Sequence, residues 1–102
     1  MKAIWNGTVI AESNDTVVVE GNHYFPFESL KQQFFTDSLS TSACPWKGTA
    51  LYCSVVVDHK EAIDAAWYYP KPKTAANHIS GKYAFWRGVE IVESGSPRDE
   101  PR

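Results

Sequence analysis

This 102-residue chain predicts a mainly β fold: a compact bent antiparallel sheet or tent-like barrel with one or two short helices. Three observations point there. Runs rich in β-branched and aromatic residues recur along it: Thr16-Val17-Val18-Val19, Thr49 to Val57 and Trp67-Tyr68-Tyr69. Polar, glycine-containing turn signals separate these runs at short intervals, the pattern of a meander of hairpins. Helical spacing is limited to one short stretch, Phe27 to Phe35, where Phe27, Leu30 and Phe34 share a face.

Taken in order, Lys2 to Ser13 reads as one strand containing Gly7, with Ala3, Trp5, Val9 and Ala11 on one face. Asn14-Asp15 supplies turn chemistry before Thr16 to Glu20. Gly21-Asn22 is a second turn, leading into His23-Tyr24-Phe25 before Pro26. Ser38 to Ser42 is small and polar, a brief strand or a loop. Thr49 to Val57 alternates, placing Leu51, Cys53, Val55 and Val57 on one face and Tyr52 and Ser54 on the other, so Cys53 is expected in the core. Asp58-His59-Lys60 is a polar turn. Glu61 to Tyr69 has helix-compatible alanines, but a short turn after a strand favours a hairpin, and Pro70-Lys71-Pro72-Lys73 ends it. Thr74 to Gly81 holds one helical turn, and Lys82 to Trp86 and Val89 to Val92 are the last strands around Arg87-Gly88. We expect one domain over residues 1–92 and a flexible tail over 93–102.

The formal net charge is −2 and the sequence pI about 5.9, with no basic stripe, so nucleic-acid binding lacks its usual electrostatic drive. No apolar run reaches the roughly 18–20 residues of a membrane span. The opening Met1-Lys2-Ala3-Ile4-Trp5-Asn6-Gly7 meets a polar residue and a glycine too early for a signal-peptide core, and a cytoplasmic location is the expectation. If Lys47 to Val57 is one strand, Lys47 and Cys53 lie about 20 Å apart. Bridged cysteines need Cα atoms within about 7 Å, so Cys44 and Cys53 are expected as free thiols. Without a C-x-x-C, and with His23, His59 and His78 scattered, no structural metal is expected.

Cys44-Pro45-Trp46-Lys47-Gly48 carries the most chemistry. Proline fixes φ and glycine permits unusual angles, so the segment is a shaped corner that sets a thiol beside a lysine. A nearby cation favours the thiolate, which makes Cys44 a candidate nucleophile or redox centre; the alternative is a structural cysteine at a buried corner. Lys47 is suited to a phosphate or carboxylate, or is an ordinary exposed lysine at a strand start. Trp46 packs, or caps a ligand if the corner is concave.

Three blocks occur in order: Val19-Glu20-Gly21-Asn22-His23-Tyr24-Phe25-Pro26, then Ser42-Ala43-Cys44-Pro45-Trp46-Lys47-Gly48-Thr49-Ala50-Leu51-Tyr52, then Ala66-Trp67-Tyr68-Tyr69-Pro70. Together they resemble the small bacterial domain-of-unknown-function family number 427, sometimes filed under a nucleotidyltransferase-like label. The resemblance covers nearly the whole chain and implies the β-tent architecture, shared with methionine-sulfoxide reductases and several zinc-binding modules. The paired cysteines with which those modules hold zinc are missing here, so neither a metal nor a cofactor carries over. The transferase label finds no glycine-rich phosphate loop to support it.

Glu20, Tyr24, Tyr52, Trp67 and Tyr69 lie in or beside these blocks and suit one pocket with aromatic walls and a few polar groups. Glu20 follows three valines and is either solvent-facing or paired, with Lys47 its candidate partner. His23 and His78 are expected in surface or hydrogen-bonded roles, and Arg87 as a solvated turn residue. The functional expectation is a pocket for a small anionic ligand or a peptide around the Cys44–Gly48 corner. The alternatives are a thiol-dependent enzyme using Cys44 and a homodimeric module joined through exposed aromatics.

Overall fold

The computed structural model describes residues 1–94. The expected tail beyond Ser94 lies outside the described residues. Among the described residues, nine strands form three antiparallel sheets, and the other regular structure is three short 3₁₀ turns. No barrel closes among the described residues, which decides between the two β architectures the sequence left open.

The first departure is at Asn6-Gly7. What reads as one strand is a hairpin of β1 (Lys2–Trp5) and β2 (Thr8–Glu12), with φ 50° at Asn6 and 74° at Gly7. Two successive positive φ values are the demand of a tight hairpin turn, and Asn-Gly meets it best. Ala3 pairs with Ala11, but a register irregularity after Ala3 buries Ile10 and leaves Trp5 and Val9 only partly covered. β9 (Glu90–Val92) joins the other side of β1.

β3 (Val17–Val19) and β4 (Asn22–Tyr24) form the second hairpin. Its turn is Glu20-Gly21, one residue earlier than the sequence suggested, with φ 53° and 79°. Glu20 therefore sits in the left-handed region, which is uncommon for a residue with a Cβ.

The expected helix over Phe27 to Phe35 is not formed. Two 3₁₀ turns, Phe27–Ser29 and Gln32–Phe34, flank an extended Leu30 that bridges to Ala11, while the Lys31 amide donates to the Ile10 carbonyl at 2.9 Å. Pairing with β2 outweighs a helical periodicity too short to nucleate alone. The following polar stretch is no loop: β5 (Phe35–Cys44) spans it and pairs with β6 (Gly48–Val57). β7 (Lys60–Tyr68) and β8 (Tyr83–Phe85) complete the four-stranded sheet in the order β5-β6-β7-β8.

Each face of this sheet carries its own apolar cluster. One face holds Cys53, Val55, Val57, Ala66, Tyr83 and Phe85 and packs on the sheet containing β1 and β2 through Ala3, Ile10 and Ala11. Phe25 locks this core: its ring meets Phe85 edge-on at 5.4 Å, and its backbone exchanges hydrogen bonds with Tyr83 at 2.7 and 2.8 Å. The second face gathers Tyr24, Ala50, Tyr69, Ala76, Ile79 and Ala84, with Val17, Val19, Cys44, Tyr52 and Trp67 at its margin. Alternation along β6 and β7 sorts the faces, so Cys53 goes to the core while its neighbour Tyr52 goes to the second cluster.

Two irregularities lie side by side and bend this sheet. Asp37 pairs with Cys53 but Thr41 with Leu51, so Ser38 to Ser40 bulge; Cys53 pairs with Ala66 but Val55 with Ala62, so Ile63 to Ala65 bulge. Asp64, at φ 55°, stitches the two. Its carboxylate accepts from Ser40 Oγ at 2.7 Å and its amide donates to Ser54 Oγ at 3.1 Å.

Candidate functional site

The Cys44–Gly48 corner is a three-residue hairpin loop, Pro45-Trp46-Lys47, closed by the pair Cys44 and Gly48. Gly48 has φ 114°, a backbone conformation that side-chain-bearing residues rarely adopt, so the position calls for glycine. The segment after β7 clamps the loop: the Lys73 amide donates to the Lys47 carbonyl at 2.9 Å, and Lys73 Nζ to the Pro45 carbonyl at 2.7 Å.

This clamp directs Lys47 inward. The residue is 7% exposed, which removes the exposed-lysine alternative that its place at a strand start left open. Its ammonium forms an ion pair with Glu20 Oε1 from the β3–β4 turn. It also stands 5.5 Å from the centre of the Trp46 ring and 5.4 Å from that of Tyr69, both within cation–π range. Burial pulls the Lys47 ammonium down, but the Glu20 bond and the neighbouring Tyr24 and Tyr69 outweigh it, and the net displacement is upward. The Glu20 carboxyl is held below its usual range, chiefly by the hydrogen bond from Lys47 and in part by the Trp46 indole. The partners are unequal in one respect: the Glu20 side chain is 54% exposed.

From this pair a line of rings runs across the second face of the sheet. Tyr24 is fully buried and accepts the Trp67 indole N–H at 3.2 Å, with the two rings edge to face. Trp67 lies across from Tyr52 in the β6–β7 register. Both rings contact Trp86, whose indole donates to the Asp64 carbonyl at 2.6 Å. Arg87 lays its guanidinium 4.5 Å over the Trp86 ring and donates to the Ile63 carbonyl.

The fold thus brings Glu20, Tyr24, Trp46, Lys47, Tyr52, Trp67 and Tyr69 into one connected set, with Cys44 at the margin of the same cluster. Sequence reasoning missed Trp86 and Asp64. Trp86 reads in the sequence only as the end of a strand, and Asp64 as an ordinary strand position, because a bulge leaves no local signature in alternating alanines. His23 is hydrogen-bonded to Thr16 at 3.0 Å. Among the described residues, no three His, Cys, Asp or Glu side chains gather to hold a metal ion, and no helix is long and apolar enough to cross a membrane.

A family model described as "Domain of unknown function (DUF427)" matches residues 1–95. The chain belongs to the DUF427 family. Among curated proteins none matches. In this DUF427 domain the three sequence blocks coincide with the three pieces of the site: the Glu20 turn with Tyr24, the Lys47 loop, and the Trp67–Tyr69 end of β7.

The two free thiols differ in setting. Cys53 is buried, and its thiol is pushed up to about 11, first by burial and then by the Asp37 carboxylate. Cys44 is partly exposed. Alkylation resolved by mass spectrometry at neutral pH is expected to label Cys44 and leave Cys53 largely unmodified; equal rates would contradict this placement.

Burial also raises the phenols of Tyr68, Tyr69 and Tyr83. A group raised on folding contributes stability that is complete below its unfolded value and lost as pH rises through its folded value. For Cys53 that window runs from 9.0 to about 11. The melting midpoint is therefore expected to fall across that range, and a flat profile would contradict the burial of these groups.

Proposed function

We propose that this DUF427 domain is a binding module for a small anionic ligand, whose charged group takes the place that the Glu20 carboxylate holds on Lys47. The observation that carries this reading is the asymmetry of the pair: the cation is buried and walled by rings, while its counter-ion sits exposed on a turn. A buried ammonium needs an anion beside it, because leaving it unpaired is strongly unfavourable. Glu20 is the replaceable member, since water solvates it as soon as it swings out. Tyr69 and Trp46 give the incoming anion an apolar frame, in which charge-assisted hydrogen bonds gain strength.

The tether sets a threshold. Glu20 competes intramolecularly, at an effective concentration on the order of millimolar, so a bare anion binds weakly. An NMR titration of the intact chain with inorganic phosphate is the test. Saturable shifts confined to Glu20, Trp46, Lys47 and Tyr69, and lost in Lys47→Met, are expected; shifts spread evenly over surface lysines would overturn the reading.

A second reading rests on Cys44, whose partly exposed thiol borders the same cluster. In that reading the bound anion lies beside a nucleophile. Loss of Cys44 alkylation on adding phosphate would favour it, and an unchanged rate would leave Cys44 a wall residue.

A further inference from the structure

Three rings on the open part of this face are fixed in an unusual way for partly exposed side chains. Trp67, Tyr52 and Trp86 all reach solvent, Trp86 with 41% of its surface, so water could satisfy their polar atoms. Each instead has its polar atom tied to the protein: Trp67 Nε1 to Tyr24 at 3.2 Å, the Tyr52 hydroxyl to Ser42 Oγ at 2.9 Å, and Trp86 Nε1 to the Asp64 carbonyl at 2.6 Å. The Asp64 anchor is itself held by the paired bulges and the Ser40 bond. Orientation is thus set before anything binds, which lowers the entropy cost of capture.

The ring geometry suits one kind of guest. Tyr52 and Trp86 are inclined by only 31°, with centroids 6.3 Å apart, whereas Trp67 meets Trp86 at 73° and 5.6 Å. A flat ring laid along Tyr52 and Trp86 stacks on one and meets Trp67 at its edge, the two arrangements aromatic pairs prefer. Arg87 lies over Trp86, and Lys47 lies beside Tyr69 with its charge met by Glu20. That placement disfavours a cationic guest and favours an anionic one.

Resting on the anion reading above, we infer that the ligand is a planar aromatic ring bearing an anionic group, with the anion at Lys47 and the ring on Tyr52, Trp67 and Trp86. Stacking supplies what a bare anion lacks against the tethered Glu20. An aromatic carboxylate and a nucleoside monophosphate share this chemistry, and the test separates them.

The experiment titrates the intact chain with four probes, acetate, indole-3-acetate, phosphate and adenosine monophosphate, following the four indole N–H signals by NMR. At least one ring-bearing probe is expected to bind about tenfold tighter than its ring-free counterpart, a typical stacking contribution. It should shift the Trp67 and Trp86 signals, and the stronger of the two names the ligand's source. In Trp86→Leu, which keeps an apolar surface residue, that advantage should vanish while phosphate binding persists. Equal affinities with and without the ring, or unmoved Trp67 and Trp86 signals, would overturn the inference and leave the anion reading standing. Ring-bearing probes shifting Trp67 and Trp86 while neither acetate nor phosphate reaches Lys47 would sink the anion reading and, with it, the anionic half of this inference.

Discussion

Phe25→Ala is expected to destabilise the domain by about 3–5 kcal/mol, the range for truncating a buried phenylalanine. That is a large share of the stability a chain of this size commands. Phe25 is fully buried, meets Phe85 edge-on, and its backbone is the bridge that joins the β3–β4 hairpin to β8. The same hairpin carries Glu20 and Tyr24, so loosening Phe25 also disturbs the Lys47 pair. Urea unfolding should show a lowered midpoint. A change below about 1 kcal/mol, as for a surface substitution, would contradict Phe25 as the lock of this core.

The second large effect is an inequality. Glu20→Ala is expected to destabilise more than Lys47→Met, although each removes the same ion pair. Deleting Glu20 strands a buried ammonium among Trp46, Tyr69 and Tyr24, whereas deleting the charge of Lys47 leaves a half-exposed carboxylate that water accepts. Methionine keeps most of the lysine stem in place, and apolar replacement of a buried charge is often nearly neutral, so Lys47→Met should lie within about 1 kcal/mol of the parent. Glu20→Gln should fall between them, since its amide oxygen still accepts from Lys47. Parallel urea titrations of the three variants check the order, and a reversed order would mean that Glu20, not Lys47, is the buried member.

Much of this site was legible in the sequence because its residues are carried by local motifs. Cys-Pro-Trp-Lys-Gly had to be a corner, and Glu20 after three valines needed either water or a partner. The structure provides both, with water on one side and Lys47 on the other. The parity of Thr49 to Val57 sent Cys53 to the core and Tyr52 to the opposite face, as found. What escaped was set by pairing between distant segments. Leu30 is extended because Ala11 lies across from it, and no local periodicity encodes that bridge. Asp64 takes φ 55° because two bulges align, and the roles of Asp64 and Trp86 exist only once β5, β7 and β8 are side by side. The sequence left Lys47 open between an anion-holding and an exposed role because what buries it, the Pro70–Lys73 segment and the Glu20 turn, lies more than twenty residues away on either side. Asn6-Gly7 is different: its hairpin signal is local, and the alternating apolar residues around it masked it.

The central claim is that Lys47 is a buried cation whose counter-ion can be exchanged, and chemical rescue tests it most directly. The melting midpoint of Glu20→Ala would be followed against acetate concentration, with the double variant Glu20→Ala/Lys47→Met as reference at matched ionic strength. A saturable rise in the single variant alone is the predicted result, because acetate then fills the place of the missing carboxylate. Identical acetate dependence in the two variants would contradict an exchangeable anion at Lys47.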